Sequence, residues 1–275
     1  MRTTRTDPRV GGPRVDAQLR RMSARVTKSI ADRAGARLGM WYGAGYPKSG
    51  TTWLCNLMSS YLDIPFVRGY RLPVLMPCVV HSHWLPGERL PPTIYIVRDG
   101  RDVLVSRYFF DARAVRAPRN PRGGRMRRAR FERLYGPHVD LDDIAANLPK
   151  FIEDEMTAPQ LTGVNWAEHV RRWVARPGDQ VAVVRYEQLR ADVGDALAPA
   201  FAQLTGQPVD RDYLRLAAER FEFRTQARRN DARGDSTLMR AGAVGDWRQH
   251  FTAQATATFN RHAGDLLAEL GYPAE

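Results

Sequence analysis

A short apolar run, Met40–Tyr46, enters a turn containing Gly45, Pro47 and Gly50 and leaves it as a helical pattern over Thr51–Leu62. No other feature narrows the fold of this chain so far. A strand that ends in a glycine-containing turn and opens a helix aims successive backbone N–H groups into the turn, and the helix N-terminus adds partial positive charge. Gly45, Gly50, Thr51 and Thr52 supply that geometry, and Lys48 adds a full charge. Alone, the same residues also read as an ordinary strand-to-helix turn with a solvent-facing lysine. The lysine's register narrows the choice. A nucleotide triphosphatase loop carries its lysine immediately after the second glycine, whereas here Thr51 holds that place and Lys48 lies inside the loop. That position suits contact with a terminal 5′-phosphate, leaving little room for a β/γ pair and its Mg²⁺. No apolar strand ending in Asp offers a clear metal ligand.

The rest of the chain continues the rhythm. Thr93–Val97 is β-branched and aromatic, bounded by two prolines before it and by Arg98-Asp99-Gly100 after it, and Asp102–Phe110 continues as a helix. Val181–Arg185 follows the turn Arg176-Pro177-Gly178-Asp179 and reads as another buried strand. Strands alternating with helices predict an α/β class, a single-domain P-loop-like fold with a central, mostly parallel β-sheet flanked by helices. Residues 1–15 read as a flexible basic arm, and residues 16–38 as a basic helix with Leu19, Met22, Val26 and Ile30 at helical spacing. One domain over 39–275 follows. Within it, residues 112–137 read as its least structured part. Nine arginines lie between Arg113 and Arg133, with Glu132 the only acid among them. The expectation is a solvated loop, or a lid closing over an anionic donor or acceptor.

With 275 residues, 43% hydrophobic content and six Trp, the chain can bury a sizeable core. Its formal charge of +12 calls for a negatively charged partner. Nucleic acid, an anionic membrane surface and a phosphorylated small molecule all fit the charge, but no nucleic-acid module is recognisable. Cys55 and Cys78 sit in apolar contexts without metal-ligand spacing, so they read as buried free thiols. No run approaches the ~20 apolar residues of a membrane span, and the N-terminus lacks the apolar stretch of a secretory signal. A cytoplasmic protein is expected, its oligomeric state open.

Four segments together resemble a known family. Tyr46-Pro47-Lys48-Ser49-Gly50-Thr51-Thr52-Trp53 is similar at every position to the 5′-phosphosulfate loop of sulfotransferases that use 3′-phosphoadenosine-5′-phosphosulfate (PAPS). Arg98 and Ser106, eight residues apart in Ile94–Phe110, fall where that family grips the 3′-phosphate. An arginine's planar donors and a hydroxyl can hold one phosphate dianion. Val183–Leu189 resembles the family's L-x-R-Y-E-D-L segment, which implies Tyr186 near the adenine with Trp53 as a second aromatic face. Arg240-Ala241-Gly242-Ala243-Val244-Gly245-Asp246-Trp247-Arg248 resembles R-K-G-x-x-G-D-W-K/R, implying Arg240 and Gly242 on the 3′-phosphate; Ala241 replaces the usual Lys, which weakens that contact. Phe223 is a looser match to an aromatic near the adenine. Trp166–Trp173 resembles the family's W-x-x-H-V-x-x-W helix, in which His169 reads as structural.

The resemblance implies sulfuryl transfer from PAPS to a small-molecule hydroxyl or amine, leaving 3′-phosphoadenosine-5′-phosphate (PAP), with no metal. A base, a cation at the leaving phosphate and a rigid donor loop are needed. His83, in Val80–Pro86, matches the general base of K-(S/T)-H-x-P, and neutral imidazole can accept a proton near neutral pH. Trp84 adds a residue to the pattern, Ser82 reads as a turn residue, and His81 stands where the family often has a second lysine. Lys48 is the candidate for stabilising the leaving group. The acceptor-side loops vary in the family, and the Arg-rich segment hints at an acidic or bulky acceptor. A P-loop kinase, a basic nucleic-acid-binding protein and a regulator that has lost catalysis are the competing readings.

Overall fold

The computed structural model describes residues 13–67, 72–116, 121–176, 178, 180–220 and 242–273. Helix α1 (Pro13–Ala34) precedes strand β1 (Met40–Gly45), which delivers the chain through the Tyr46–Gly50 turn into α2 (Thr51–Leu62). Two strands follow, β2 (Phe66–Val67) and β3 (Cys78–Ser82), and then β4 (Thr93–Val97) leads into α3 (Gly100–Arg116). Helices α4 (Pro121–Tyr135), α5 (Ile144–Thr157) and α6 (Trp166–Val174) separate β4 from β5 (Val181–Arg185). Helices α7 (Tyr186–Ala191), α8 (Val193–Thr205) and α9 (Arg211–Arg220) come next. A 3₁₀ turn (Asp246–Gln249) and α10 (Ala253–Glu269) complete the described chain.

All five strands are parallel, in the order β2-β3-β1-β4-β5. Parallel neighbours need crossover connections, so helices cover both faces and the strands are buried on both sides. Alternation along β4 shows this directly. Tyr95 and Val97 point into a core built with Leu104, Phe151, Trp166, Trp173 and Phe259, whereas Ile94 and Ile96 point into one built with Leu54, Leu57, Val184 and Phe201. The central strand β1 must let α2 come close: a Cβ on Gly43 would lie 2.3 Å from Cys55 Sγ. Cys55 and Cys78 are buried free thiols.

The structure departs from the sequence expectation over residues 112–137. The described part of this segment is mostly helical instead of loop: α3 runs through Arg116, and α4 occupies Pro121–Tyr135. The arginines at 127, 130 and 133 recur at helical spacing and meet carboxylates from outside the segment. Arg127 Nε lies 2.5 Å from Asp111, Arg130 pairs with Asp111, Asp154 and Glu155, and Arg133 lies 2.6 Å from Asp154. Arg107, on α3, joins the same network through Asp111 at 3.1 Å. Asp111 and Glu155 are essentially inaccessible, and removing one member of a buried pair costs about 3–5 kcal/mol. Three of the nine arginines that looked like a solvated run are therefore cross-links between α3, α4 and α5.

Candidate active site

At the C-terminal end of β1 the backbone is forced into two left-handed residues. Lys48 has φ 78° and Gly50 φ 93°, the first unusual for a side chain of that size. Ser49 N–H closes the turn on Tyr46 O at 3.1 Å. Gly50 then caps α2 without a side-chain bond, so the first-turn N–H groups of Thr51, Thr52 and Trp53 have no intrahelical acceptor. The hydroxyls of Ser49 and Thr51 are buried and find no hydrogen-bond partner among the described residues. Donors gathered without acceptors at a helix N-terminus fit a phosphate or sulfate oxyanion. Gly50 also faces Tyr186, where a Cβ would come within 2.7 Å of Cδ2. Gly50→Ala should therefore cost about 1–2 kcal/mol from backbone strain alone and lower nucleotide affinity as well. Thermal melting with and without PAP measures both effects.

Lys48 extends to Phe110 of α3, its Nζ 4.8 Å from the ring centroid. Burial, followed by the charges of Arg107 and Arg98, pushes its ammonium down to about 7. Across the turn, Arg98 leaves the end of β4 almost fully buried. It donates to Lys48 O at 3.4 Å and to Ala243 O at 2.9 Å, and its guanidinium lies 4.4 Å over the Tyr186 ring. Tyr186 donates to Gly242 O at 2.9 Å and meets Trp53 edge-on at 5.9 Å. Lys48, Trp53, Arg98, Tyr186 and Gly242 thus converge from four separate stretches of chain. Ser106 is half-buried two turns into α3. Arg240, Ala241 and Phe223 lie outside the described residues.

Three carboxylates that sequence reasoning passed over hold this assembly. Asp102 accepts from Gly245 N–H and Trp247 N–H, both at 2.9 Å. Asp99 holds Arg101, whose Nη2 also reaches Pro273 O at 2.7 Å and whose guanidinium stacks on Trp247 at 3.8 Å. Glu187 bridges Asp99 N–H at 3.0 Å and Tyr272 O–H at 2.9 Å, and burial pushes its carboxyl up. Asp99 and Glu187 are chain neighbours of Arg98 and Tyr186, so the C-terminal segment is tied down beside the two residues that face each other in the site. The aspartate at position 102 stood within the quoted motif; its partners, 143 and 145 residues away, left no local signal.

His83 follows β3, the strand sequence reasoning missed. Its Nδ1 lies 2.6 Å from Gly45 O. A carbonyl oxygen only accepts, so Nδ1 carries the proton and the neutral ring's lone pair resides on Nε2. His83 O accepts from His169 Nε2–H at 3.2 Å, and Trp84 O from Trp173 Nε1–H at 3.1 Å. His169 is fully buried, takes a bond from Tyr95 O–H at 3.0 Å, and is pushed down to about 4 by burial. It stays neutral and fixes backbone, the structural part expected of it. Ser82 Oγ accepts from Trp84 N–H at 3.3 Å, as a turn residue does. His81 packs edge-on against His83 with centroids 4.3 Å apart. Among the described residues, no group of His, Cys, Asp or Glu could hold a metal ion.

Known proteins give the arrangement its context. The 3-alpha-hydroxysteroid sulfotransferase of Cavia porcellus is 27% identical over 268 residues, covering 83% of each chain. Two solved structures share the fold. Mouse sulfotransferase SULT7A1 complexed with PAP superposes with a TM-score of 0.61 at 20% identity, covering 90% of each chain. Retinol dehydratase in complex with androsterone and PAP gives 0.55 at 18%, covering 88% of this chain and 85% of that one. The family described as "Sulfotransferase domain" matches residues 88–271, a span that holds Arg98, Ser106, Tyr186 and Gly242. With two thirds of its length matched in this way, and the anion loop standing just ahead of that span, the chain belongs to the sulfotransferase domain family.

Proposed function

We propose that this PAPS-dependent sulfotransferase holds its donor between the Tyr46–Trp53 loop and the Arg98–Tyr186–Gly242 cluster, and deprotonates a small-molecule acceptor with His83. The donor supplies the sulfuryl group when bound. The chain's own residues do the rest. N–H groups of the α2 first turn, with the Ser49 and Thr51 hydroxyls, orient the 5′ end. Arg98 and Ser106, joined by Arg240 and the backbone at Ala241 and Gly242, hold the 3′-phosphate, while Trp53 and Tyr186 flank the base. Lys48 follows negative charge onto the leaving oxygen. Because Gly45 O takes the Nδ1 proton of His83, the base presents Nε2 to the acceptor hydroxyl. The sulfotransferase domain covers residues 39–275, with 1–38 as an appended arm and helix. It works in the cytoplasm, where Cys55 and Cys78 stay reduced. The Cavia porcellus relative is named for hydroxysteroids, and a hydroxylated small molecule is the acceptor class proposed here.

One observation carries the reading: a single buried guanidinium, Arg98, reaches Lys48 O in the loop and Ala243 O beside Gly242. A ligand phosphorylated at both ends of a nucleoside matches two anion positions joined in this way. Isothermal titration tests it. PAP should bind without Mg²⁺ and ATP should not; the opposite pattern would favour a kinase. The same titration has a pH signature. With its ammonium at about 7 in the free enzyme, Lys48 is largely neutral at pH 8 and takes up a proton as the anion binds. Affinity for PAP should fall as pH rises above 7, by less than about tenfold in all, because most of the binding comes from the other groups around the anion. Lys48→Met should flatten that slope.

A further inference from the structure

Helix α1 turns its polarity inside out. Ser23, Thr27 and Ala31 face the domain and are buried, while Leu19, Met22 and Val26 are 46%, 63% and 45% exposed. An amphipathic helix in a soluble domain buries its apolar stripe; this one shows it to solvent, with Arg20, Arg21 and Arg25 exposed beside it. The adjoining segment, residues 72–76, repeats the pattern. Val74 packs with Ala31 and donates its N–H to Thr27 Oγ1 at 3.1 Å, yet Leu72, Leu75 and Met76 are 75%, 66% and 52% exposed. Six of the fourteen large apolar side chains exposed among the described residues lie on these two touching segments. The others are spread along the chain, and a scatter of that kind needs no explanation, whereas a cluster does.

We infer that α1 and residues 72–76 form a docking surface for an anionic lipid bilayer. Apolar side chains flanked by arginine on an exposed helix are what an interfacial helix needs: the first enter the acyl boundary and the second meet the headgroups. The bilayer fits better than a second copy of this chain, because a symmetric contact would bring Arg20, Arg21 and Arg25 against their own counterparts in a protein already at +12. No helix among the described residues is long and apolar enough to cross a membrane, so the contact is peripheral. Lys28, on another face of α1, stands 5.5 Å from the ring of Trp84, the residue after His83, so the helix runs beside the segment that carries the proposed base.

Co-sedimentation with phosphatidylcholine vesicles, with and without phosphatidylglycerol, tests the surface using the full chain. Binding should require phosphatidylglycerol and be released by salt. Arg20→Gln/Arg21→Gln should weaken it about 25-fold, since each basic residue near such a surface contributes about fivefold. Met22→Glu/Val26→Glu and Leu72→Glu/Leu75→Glu should abolish it. Titration with PAP checks that the variants are folded, because none of these positions belongs to the donor site. Absence of binding by the unaltered chain overturns the proposal, as do vesicle binding that survives both apolar double substitutions and light scattering that shows a dimer lost in Met22→Glu/Val26→Glu. No sulfuryl transfer is read, so the outcome is independent of the proposed reaction.

Discussion

Lys48→Ala is expected to lower kcat by about 10³ while weakening PAP binding by less than about tenfold. The asymmetry follows from where the lysine stands. Ser49, the α2 N-terminus and Arg98 still surround the anion after the substitution, so most ground-state binding survives. What disappears is the only cation inside the turn, and one preorganised group aimed at developing charge contributes about 10²–10³. Burial and two neighbouring guanidinium groups hold the amine at about 7, so its charge is costly until negative charge arrives to offset it. An interaction that strengthens along the reaction appears in kcat rather than in affinity. Single-turnover measurements with saturating donor separate the two quantities. A fall confined to PAP affinity would remove Lys48 from the chemistry and leave it a binding residue.

Removing the base should be nearly as severe, and two substitutions divide its work. In His83→Asn the amide nitrogen can still donate to Gly45 O, so the tie between the base segment and the end of β1 persists while the Nε2 lone pair is gone. In His83→Gln both are disturbed. Loss of a general base costs about 10²–10⁴ in turnover, and His83→Asn should show that loss with PAP affinity and thermal stability unchanged. Unchanged turnover in His83→Asn would sink the assignment. The supporting shell sharpens the test, because His169 and Trp173 hold the backbone of His83 and Trp84 whichever side chain is present at position 83.

Where the chain announces its elements locally, they were legible. The apolar run into Gly45, the helical spacing of Thr51–Leu62 and the β-branched runs at Thr93–Val97 and Val181–Arg185 each carry their own boundaries, and β4, β5 and α2 fall on those residues. Strand β3 was missed because Val79 and Val80 are followed by His81, Ser82 and His83, whose polarity hides a buried strand. Arg113–Arg133 misled for the opposite reason. Its charge looked like exposure because Asp111, Asp154 and Glu155, the acids that neutralise it, lie outside the run. Lys48, Arg98 and Tyr186 could be nominated from motif spacing, but the anchors Asp102 and Glu187 act through partners more than eighty residues distant, and Asp99 acts through Arg101, which itself reaches Pro273. Tertiary contacts of that kind leave no period in a sequence.

The ties from Asp102 to Trp247, Arg98 to Ala243 and Arg101 to Pro273 span 145, 145 and 172 residues. During synthesis, the Tyr46–Trp53 loop leaves the ribosome long before the residues that pair with Arg98, Asp102 and Arg101. Closures over such separations form late in folding. A chain truncated before residue 242 loses the partners of Arg98, Asp102 and Arg101 together, and should bind PAP less tightly than the full chain.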